Sequence, residues 1–240
     1  MSRRKRTVTT MSNSSLVSVT KISPNKTSPR VYQINKITIH HMAGDFTVEQ
    51  CLNGFANPDR YASANYVIGS DGRIGLCVEE KDRAWTSGNY DNDQQAITIE
   101  VANDKLNPSW HVSDKALQSL LDLCVDICKR NKIKKLFYTG DVYGNLTVHN
   151  MFQATLCPGA YLQGKIQSHW IENIVNARLV GRIGDVNGDG KINAKDVTAI
   201  MKYLAVGAMV DHVLADINGD GKVNAKDVTA LMKKLTKGGK

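Results

Sequence analysis

From about residue 31 the chain alternates short β-type runs with longer helical stripes. "KITIHH" (36–41), "ANYVIG" (64–69), "RIGLCVEE" (73–80) and "AITIEVAN" (96–103) are rich in β-branched residues and bounded by turn signals, which predicts strands. "GSDGR" between the second and third predicts a tight hairpin, with Gly72 free to take positive φ. "TVEQCLNGFAN" opens with Thr47 and has Gln50 three residues later, a capping-box start for a short helix. Ser113 caps a long helix predicted from about Asp114 to Asn131. Its apolar stripe is Leu117, Leu120, Leu121, Cys124 and Cys128. A last helical run, "YLQGKIQSHWIENIVNARL", follows Cys157. Interleaved strands and helices predict an α/β fold, a central mixed β-sheet flanked by helices.

The pattern changes after "GRIG" (181–184). Two twelve-residue loops follow, 31 residues apart, each trailed by one helical run ("KDVTAIMKYLA", "KDVTALMKKLT"). The first places Asp185, Asn187, Asp189, Lys191, Asn193 and Asp196 at positions 1, 3, 5, 7, 9 and 12. The second places Asp216, Asn218, Asp220, Lys222, Asn224 and Asp227 there. Oxygen donors at these positions, a backbone carbonyl at 7 and glycine at 6 are calcium-loop spacing. The expected organisation is a tail over 1–30, a catalytic domain over 31–180 and a small all-α calcium-loop module over 181–240. So small a module buries little by itself, so calcium is expected to supply much of its folding energy.

Charge adds one feature. The chain carries +8 overall, and residues 1–30 hold Arg3, Arg4, Lys5, Arg6, Lys21, Lys26 and Arg30 with no acid. A basic segment rich in Ser, Thr, Asn and Pro reads as a disordered tail drawn to polyanions such as wall polymers. Nucleic acid is not expected as the partner. No run is apolar enough for a membrane span, and the polar "TVTTMSNSSLVSVTK" is no signal-peptide core. Five scattered cysteines suggest no disulfide framework and suit synthesis in a reducing cytoplasm.

Metal-type side chains gather in "TIHHMAG" (38–44), "TVHNMF" (147–152) and "ATLCPG" (154–159). Two imidazoles and a thiolate are good zinc ligands and leave a fourth position open for water. Taken in order, "ITIHHMAG", "ANYVIGSDGRI", "ITIEVAN" and "TVHNMFQATLCPG" resemble the zinc-dependent N-acetylmuramoyl-L-alanine amidases of the type 2 family. Phage lysins and peptidoglycan recognition proteins share that fold. The resemblance implies zinc held by His40, His149 and Cys157, with His41 the alternative to His40. It implies catalytic roles for Tyr66, facing the reacting water, for Glu100, and for Thr155 as a neutral donor to the oxyanion. Glu100 and Tyr66 remain alternatives as general base. Position 12 is Asp and no long helix precedes either loop, so the C-terminal repeats resemble a type I dockerin module. That implies two structural calcium ions and a cohesin partner. It also implies two equivalent contact faces at Ala194–Lys195 and Ala225–Lys226.

Together these readings predict a peptidoglycan hydrolase that cleaves the amide between N-acetylmuramic acid and L-alanine. It is expected to act as a phage endolysin on a Gram-positive host, made in the cytoplasm and reaching the wall after release. The alternatives are a secreted wall amidase anchored through a dockerin–cohesin contact and a non-catalytic peptidoglycan-binding module. Wall binding and self-association remain open for the C-terminal module.

Overall fold

The computed structural model describes residues 12–237. Its strands are β1 (Val19–Thr20), β2 (Lys26–Thr27), β3 (Lys36–His41), β4 (Tyr66–Ile68), β5 (Ile74–Leu76), β6 (Arg83–Ala84), β7 (Ala96–Val101) and β8 (Leu146–Val148). Its helices are α1 (Val48–Phe55), α2 (Tyr90–Gln95), α3 (Asp114–Arg130), α4 (Gly159–Gln167), α5 (Trp170–Leu179), α6 (Ala194–Val206), α7 (His212–Ala215) and α8 (Ala225–Lys237). Six strands form one mixed sheet in the order β1-β5-β4-β7-β3-β8, and β2 pairs with β6 apart from it. Neighbours run parallel except β4 and β5, the hairpin that turns at Gly72 with φ +86°.

Side-chain alternation along the strands decides which face does what. Ile37 and Ile39 of β3, Tyr66 and Ile68 of β4 and Ile97, Ile99 and Val101 of β7 pack with Leu117, Leu120, Leu121 and Cys124 of α3 and Ile171 and Ile174 of α5. The opposite face carries the buried polar residues Thr38, His40, Thr98 and Thr147 and the partly buried Glu100, and α1 covers only part of it. The Thr38 and Thr147 hydroxyls bond to each other at 2.9 Å, and the Asn92 amide donates to Thr38 at 3.0 Å. A sheet with one apolar and one polar buried face has a reason to keep the second: it is where the metal-type side chains emerge.

Local expectations are met where capping chemistry sets them. Thr47 and Gln50 form the capping box of α1, and the Ser113 hydroxyl accepts from Ala116 N at the start of α3. The helical run after Cys157 is broken, because His169 takes φ +60° and separates α4 from α5.

The N-terminal boundary corrects the sequence reading. Residues 12–30 belong to the folded domain. Here β1 pairs with β5, β2 pairs with β6, and Ser23, Asn25 and Arg30 are buried. The Arg30 guanidinium donates to the carbonyls of Glu80 (2.6 Å), Asp82 (2.9 Å) and Gln94 (2.6 Å). Burial lowers its pKa to about 10. These are backbone-directed contacts with no hydrophobic period, so the segment looked like a tail. The Arg3–Arg6 cluster lies outside the described residues.

A buried ion pair fixes that segment to the core. Glu80 is fully buried and receives Arg130 through both nitrogens, at 2.6 and 2.8 Å. It also accepts from the Tyr66 hydroxyl at 2.6 Å, and the Glu80 N–H donates to Asn13 Oδ1 at 2.9 Å. Breaking a buried pair strands the remaining charge. Arg130→Met is expected to destabilise the protein by about 3 kcal/mol in urea unfolding. A loss below about 1 kcal/mol would assign the pair no more than surface value.

The C-terminal segment has its own small core of Val186, Ile200, Val210, Ala215 and Leu231, with α6 packed on α8. It also docks on the larger domain. Leu214 of α7 enters the main core, and Arg178 of α5 pairs with Asp211 and with Asp122, each at 2.6 Å.

Candidate metal centre

Three segments converge at the carboxyl ends of β3 and β8. His40 is the fifth residue of β3 and opposes Glu100 of β7 in register. His149 begins a single 3-10 turn, His149–Met151, straight after β8. Cys157 lies on the loop leading into α4, where its sulfur accepts from His41 N at 3.4 Å. Gly159 allows this close approach: its φ is +81°, and a Cβ there would lie 2.8 Å from His41 Nδ1 and from Trp110 Cβ.

The ligand atoms of His40, His149 and Cys157 all lie within 4.8 Å of one another. His40 Nδ1 is 3.6 Å from Cys157 Sγ, and the two imidazole centroids are 4.7 Å apart. Tetrahedral zinc with bonds of about 2.0–2.3 Å needs donors in this range, after a small contraction. One observation tests the fit directly. His40 is buried, and its Nε2 has no hydrogen-bond partner. An unpaired buried nitrogen is costly unless something else occupies its lone pair. The electrostatics point the same way. Burial, with His149 second, lowers the His40 pKa well below the usual imidazole value, so the ring presents itself neutral. Burial also lowers His149. Burial, reinforced by Glu100, pushes the Cys157 thiol far up. Neutral imidazoles are the ligand form, and a thiol so disfavoured as an anion ionises here only against a cation.

Alternation decides between the two adjacent histidines. His40 shares the polar face with Glu100, whereas His41 is turned away. His41 Nδ1 meets Asn103 Oδ1 at 3.1 Å and its ring stacks edge-on against Trp110. Glu100 stands beside the cluster, its Oε1 4.0 Å from His40 Nδ1. Its Oε2 is buried without a partner. Burial raises its pKa to about 8, with Arg60 as the opposing charge. Thr155 lies in the Cys157 turn, where its hydroxyl accepts from Cys157 N at 3.2 Å and keeps its own proton free to donate.

Tyr66 is the correction at this site. It opposes Ile99 in register, one residue out of phase with Glu100, and so projects to the α3 face. It is fully buried there, with its hydroxyl donated to Glu80 and accepting from Ser14 N at 2.9 Å. A one-residue step in a strand reverses the face. Tyr66 therefore does not face the metal cluster, whereas Glu100 stands beside it. His111 pairs with Asp104 and His169 with Glu172, while His212 stacks on Tyr203, all away from the cluster. The sequence reading missed Gln153, whose Oε1 lies 3.4 Å from His149 Nε2. Its spacing of four from His149 was the available signal.

The two calcium-type loops have matching geometry. Asp196 and Asp227 are buried and accept backbone N–H groups of their own loops, Asn187 and Asn193 in the first, Ile217, Asn218 and Asn224 in the second. Asp185 and Asp216 each receive the N–H of the position-6 glycine, at 3.1 and 2.8 Å. Gly190 and Gly221 have φ +85° and +79°. Asp185 Oδ1 is buried with no partner, and burial raises its pKa. Both facts suit a carboxylate that waits for a cation. Asn187 and Asn218 accept the N–H groups of Asp189 and Asp220, whose carboxylates in turn accept those of Lys191 and Lys222. Asn193 and Asn224 accept from Lys195 N and Lys226 N at the starts of α6 and α8. Position 9 thus serves as a helix cap.

Residues 30–160 match the profile of N-acetylmuramoyl-L-alanine amidase. The chain belongs to the N-acetylmuramoyl-L-alanine amidase family. Residues 183–236 match the dockerin type I domain. No curated protein matches the chain. Among solved structures it is similar to PlyL at 16% identity, with a TM-score of 0.52 over 65% of this chain and 95% of that one. The catalytic domain of XlyA matches at 16% identity and TM-score 0.51 over 65% and 97%. The Staphylococcus aureus hydrolase AmiA, solved with its ligand, matches at 15% and 0.55 over 69% and 84%. At such identities the likeness concerns the amidase fold. The dockerin segment extends beyond it and is helical.

Proposed function

We propose that this amidase is zinc-dependent and hydrolyses the amide joining the lactyl group of N-acetylmuramic acid to L-alanine of the stem peptide. The observation that carries this is the convergence of the His40, His149 and Cys157 ligand atoms within 4.8 Å of one another. Zinc bound there supplies a Lewis acid for the scissile carbonyl and lowers the pKa of a water. The protein's own residues do the rest. Glu100 accepts a proton from the attacking water as its oxygen bonds to the carbonyl carbon. Glu100 then returns that proton to the alanine nitrogen as the C–N bond breaks. The Thr155 hydroxyl donates to the developing oxyanion. His40 and His149 stay neutral throughout, which their burial favours.

The C-terminal module folds around two calcium ions in this reading and binds a cohesin-type partner or the wall. It is expected to lose helicity in EGTA and regain it in millimolar calcium. Circular dichroism of residues 183–240 checks this, and equal helicity in both would contradict it. A phage endolysin of a Gram-positive host fits the fold relatives, one of them an endolysin from Bacillus subtilis. Five free cysteines fit synthesis in a reducing cytoplasm, with action on the wall after release. The dockerin match favours a second reading, a secreted wall amidase anchored through cohesin.

Elemental analysis tests the zinc assignment. One zinc per chain is expected, together with activity lost to o-phenanthroline and restored by equimolar zinc. Full activity in a chain stripped of metal would refute it.

A further inference from the structure

A cavity of about 350 Å³ opens on the polar face of the sheet, beside the metal cluster. Its lining includes Glu100, Arg60 and the apolar side chains of Met42, Phe46, Cys51 and Phe55. Arg60 closes a 3-10 turn, Pro58–Arg60, capped by Asn57. Its guanidinium lies 4.7 Å from the centre of the Phe55 ring, another lining residue. Among the described residues no carboxylate pairs with Arg60, in contrast to Arg73, Arg130 and Arg178. The cavity therefore combines the Glu100 carboxyl, apolar walls and a guanidinium with no paired carboxylate.

That arrangement selects a particular part of the substrate. The volume suits a ligand portion of one or two amino-acid residues. The walls offer apolar surface, and His41 and Gln50 are the uncharged polar side chains among them. A sugar needs more hydrogen-bond partners than that. The stem peptide provides the matching features: the small apolar alanine methyl at the scissile amide, then D-glutamate linked through its γ-carboxyl. The α-carboxylate of that glutamate is free in some walls and amidated in others. We propose that Arg60 is a specificity-determining residue that pairs with this α-carboxylate, so that the enzyme prefers stems whose second residue is not amidated. This rests on the amidase reading above. A guanidinium offers two parallel donors to a carboxylate.

Two stem tripeptides test the proposal, L-alanyl-γ-D-glutamyl-L-lysine and its α-amide, which differ at one carboxylate. Titration calorimetry on the full-length protein is expected to show five- to tenfold tighter binding of the carboxylate form, the size of about 1 kcal/mol. Arg60→Gln is expected to bring the ratio toward one, and Arg60→Lys to keep part of it. The N-acetylmuramoyl versions of both should show the same preference in cleavage, expressed in KM more than in kcat. Equal binding of the two tripeptides by the wild type, or a ratio that survives Arg60→Gln, would overturn the proposal. So would tighter binding of a muramoyl disaccharide that Arg60→Gln weakens, because the cavity would then take glycan. If neither muramoyl substrate is cleaved while the binding preference holds, the amidase reading fails and the Arg60 assignment stands.

Discussion

Cys157→Ala is expected to lower kcat/KM on purified wall by about a thousandfold or more, the size of about 4 kcal/mol of lost transition-state stabilisation. The substitution removes the one anionic donor from the His40, His149 and Cys157 set. Two neutral imidazoles hold zinc weakly, and the carbonyl loses its Lewis acid. The fold should survive, because alanine fills most of the thiol's place and Gly159 still carries the loop past His41. Unfolding curves measured in chelator, where metal contributes to neither protein, should agree within about 1 kcal/mol. His149→Ala is expected to behave alike. Activity kept within tenfold of wild type by either variant would contradict the ligand assignment.

Glu100→Gln is expected to cost about 10²–10⁴ in kcat, the range for removing a positioned acid–base group. The amide fills the same space and cannot take a proton from water. This variant has a second signature that a passive carboxyl would not give. In the metal-free protein, burial holds the Glu100 pKa at about 8, against 4.5 for the free side chain. The folded state therefore binds this proton more tightly than the unfolded state. The associated stability is fully present below about pH 4.5 and is lost as pH rises toward about 8. Metal-free wild type should lose stability across that window relative to Glu100→Gln. Parallel stability–pH curves for the two would show that Glu100 is solvated and not poised for proton transfer.

The sheet's alternation was legible in the sequence wherever β-branched residues carried it. β3, β4, β5 and β7 fall within the predicted runs, as do α1 and α3 with their Thr47 and Ser113 caps. The metal set was legible through the resemblance of "ITIHHMAG" and "TVHNMFQATLCPG" to the type 2 amidases. Position along a strand fixes a residue, but its face depends on register against the next strand. Tyr66 shows this: it lies one step from the face of Glu100, and the pairing of β4 with β7 settles it. Residues 12–30 were illegible for a different reason. Their order comes from Arg30 reaching five separate carbonyls and from two-residue strands, none of which leaves a periodic trace. Arg60 was hidden because its role depends on a cavity built by α1 and β7.

Mass spectrometry of purified wall digested by the wild type, with Cys157→Ala in parallel, tests the central claim most directly. Amide hydrolysis at this site predicts stem peptides with free N-terminal L-alanine, glycan strands with intact lactyl carboxylates and no new reducing sugar ends, all absent from the Cys157→Ala digest. New reducing ends, cleavage within the stem peptide, or the same products from both proteins would contradict it.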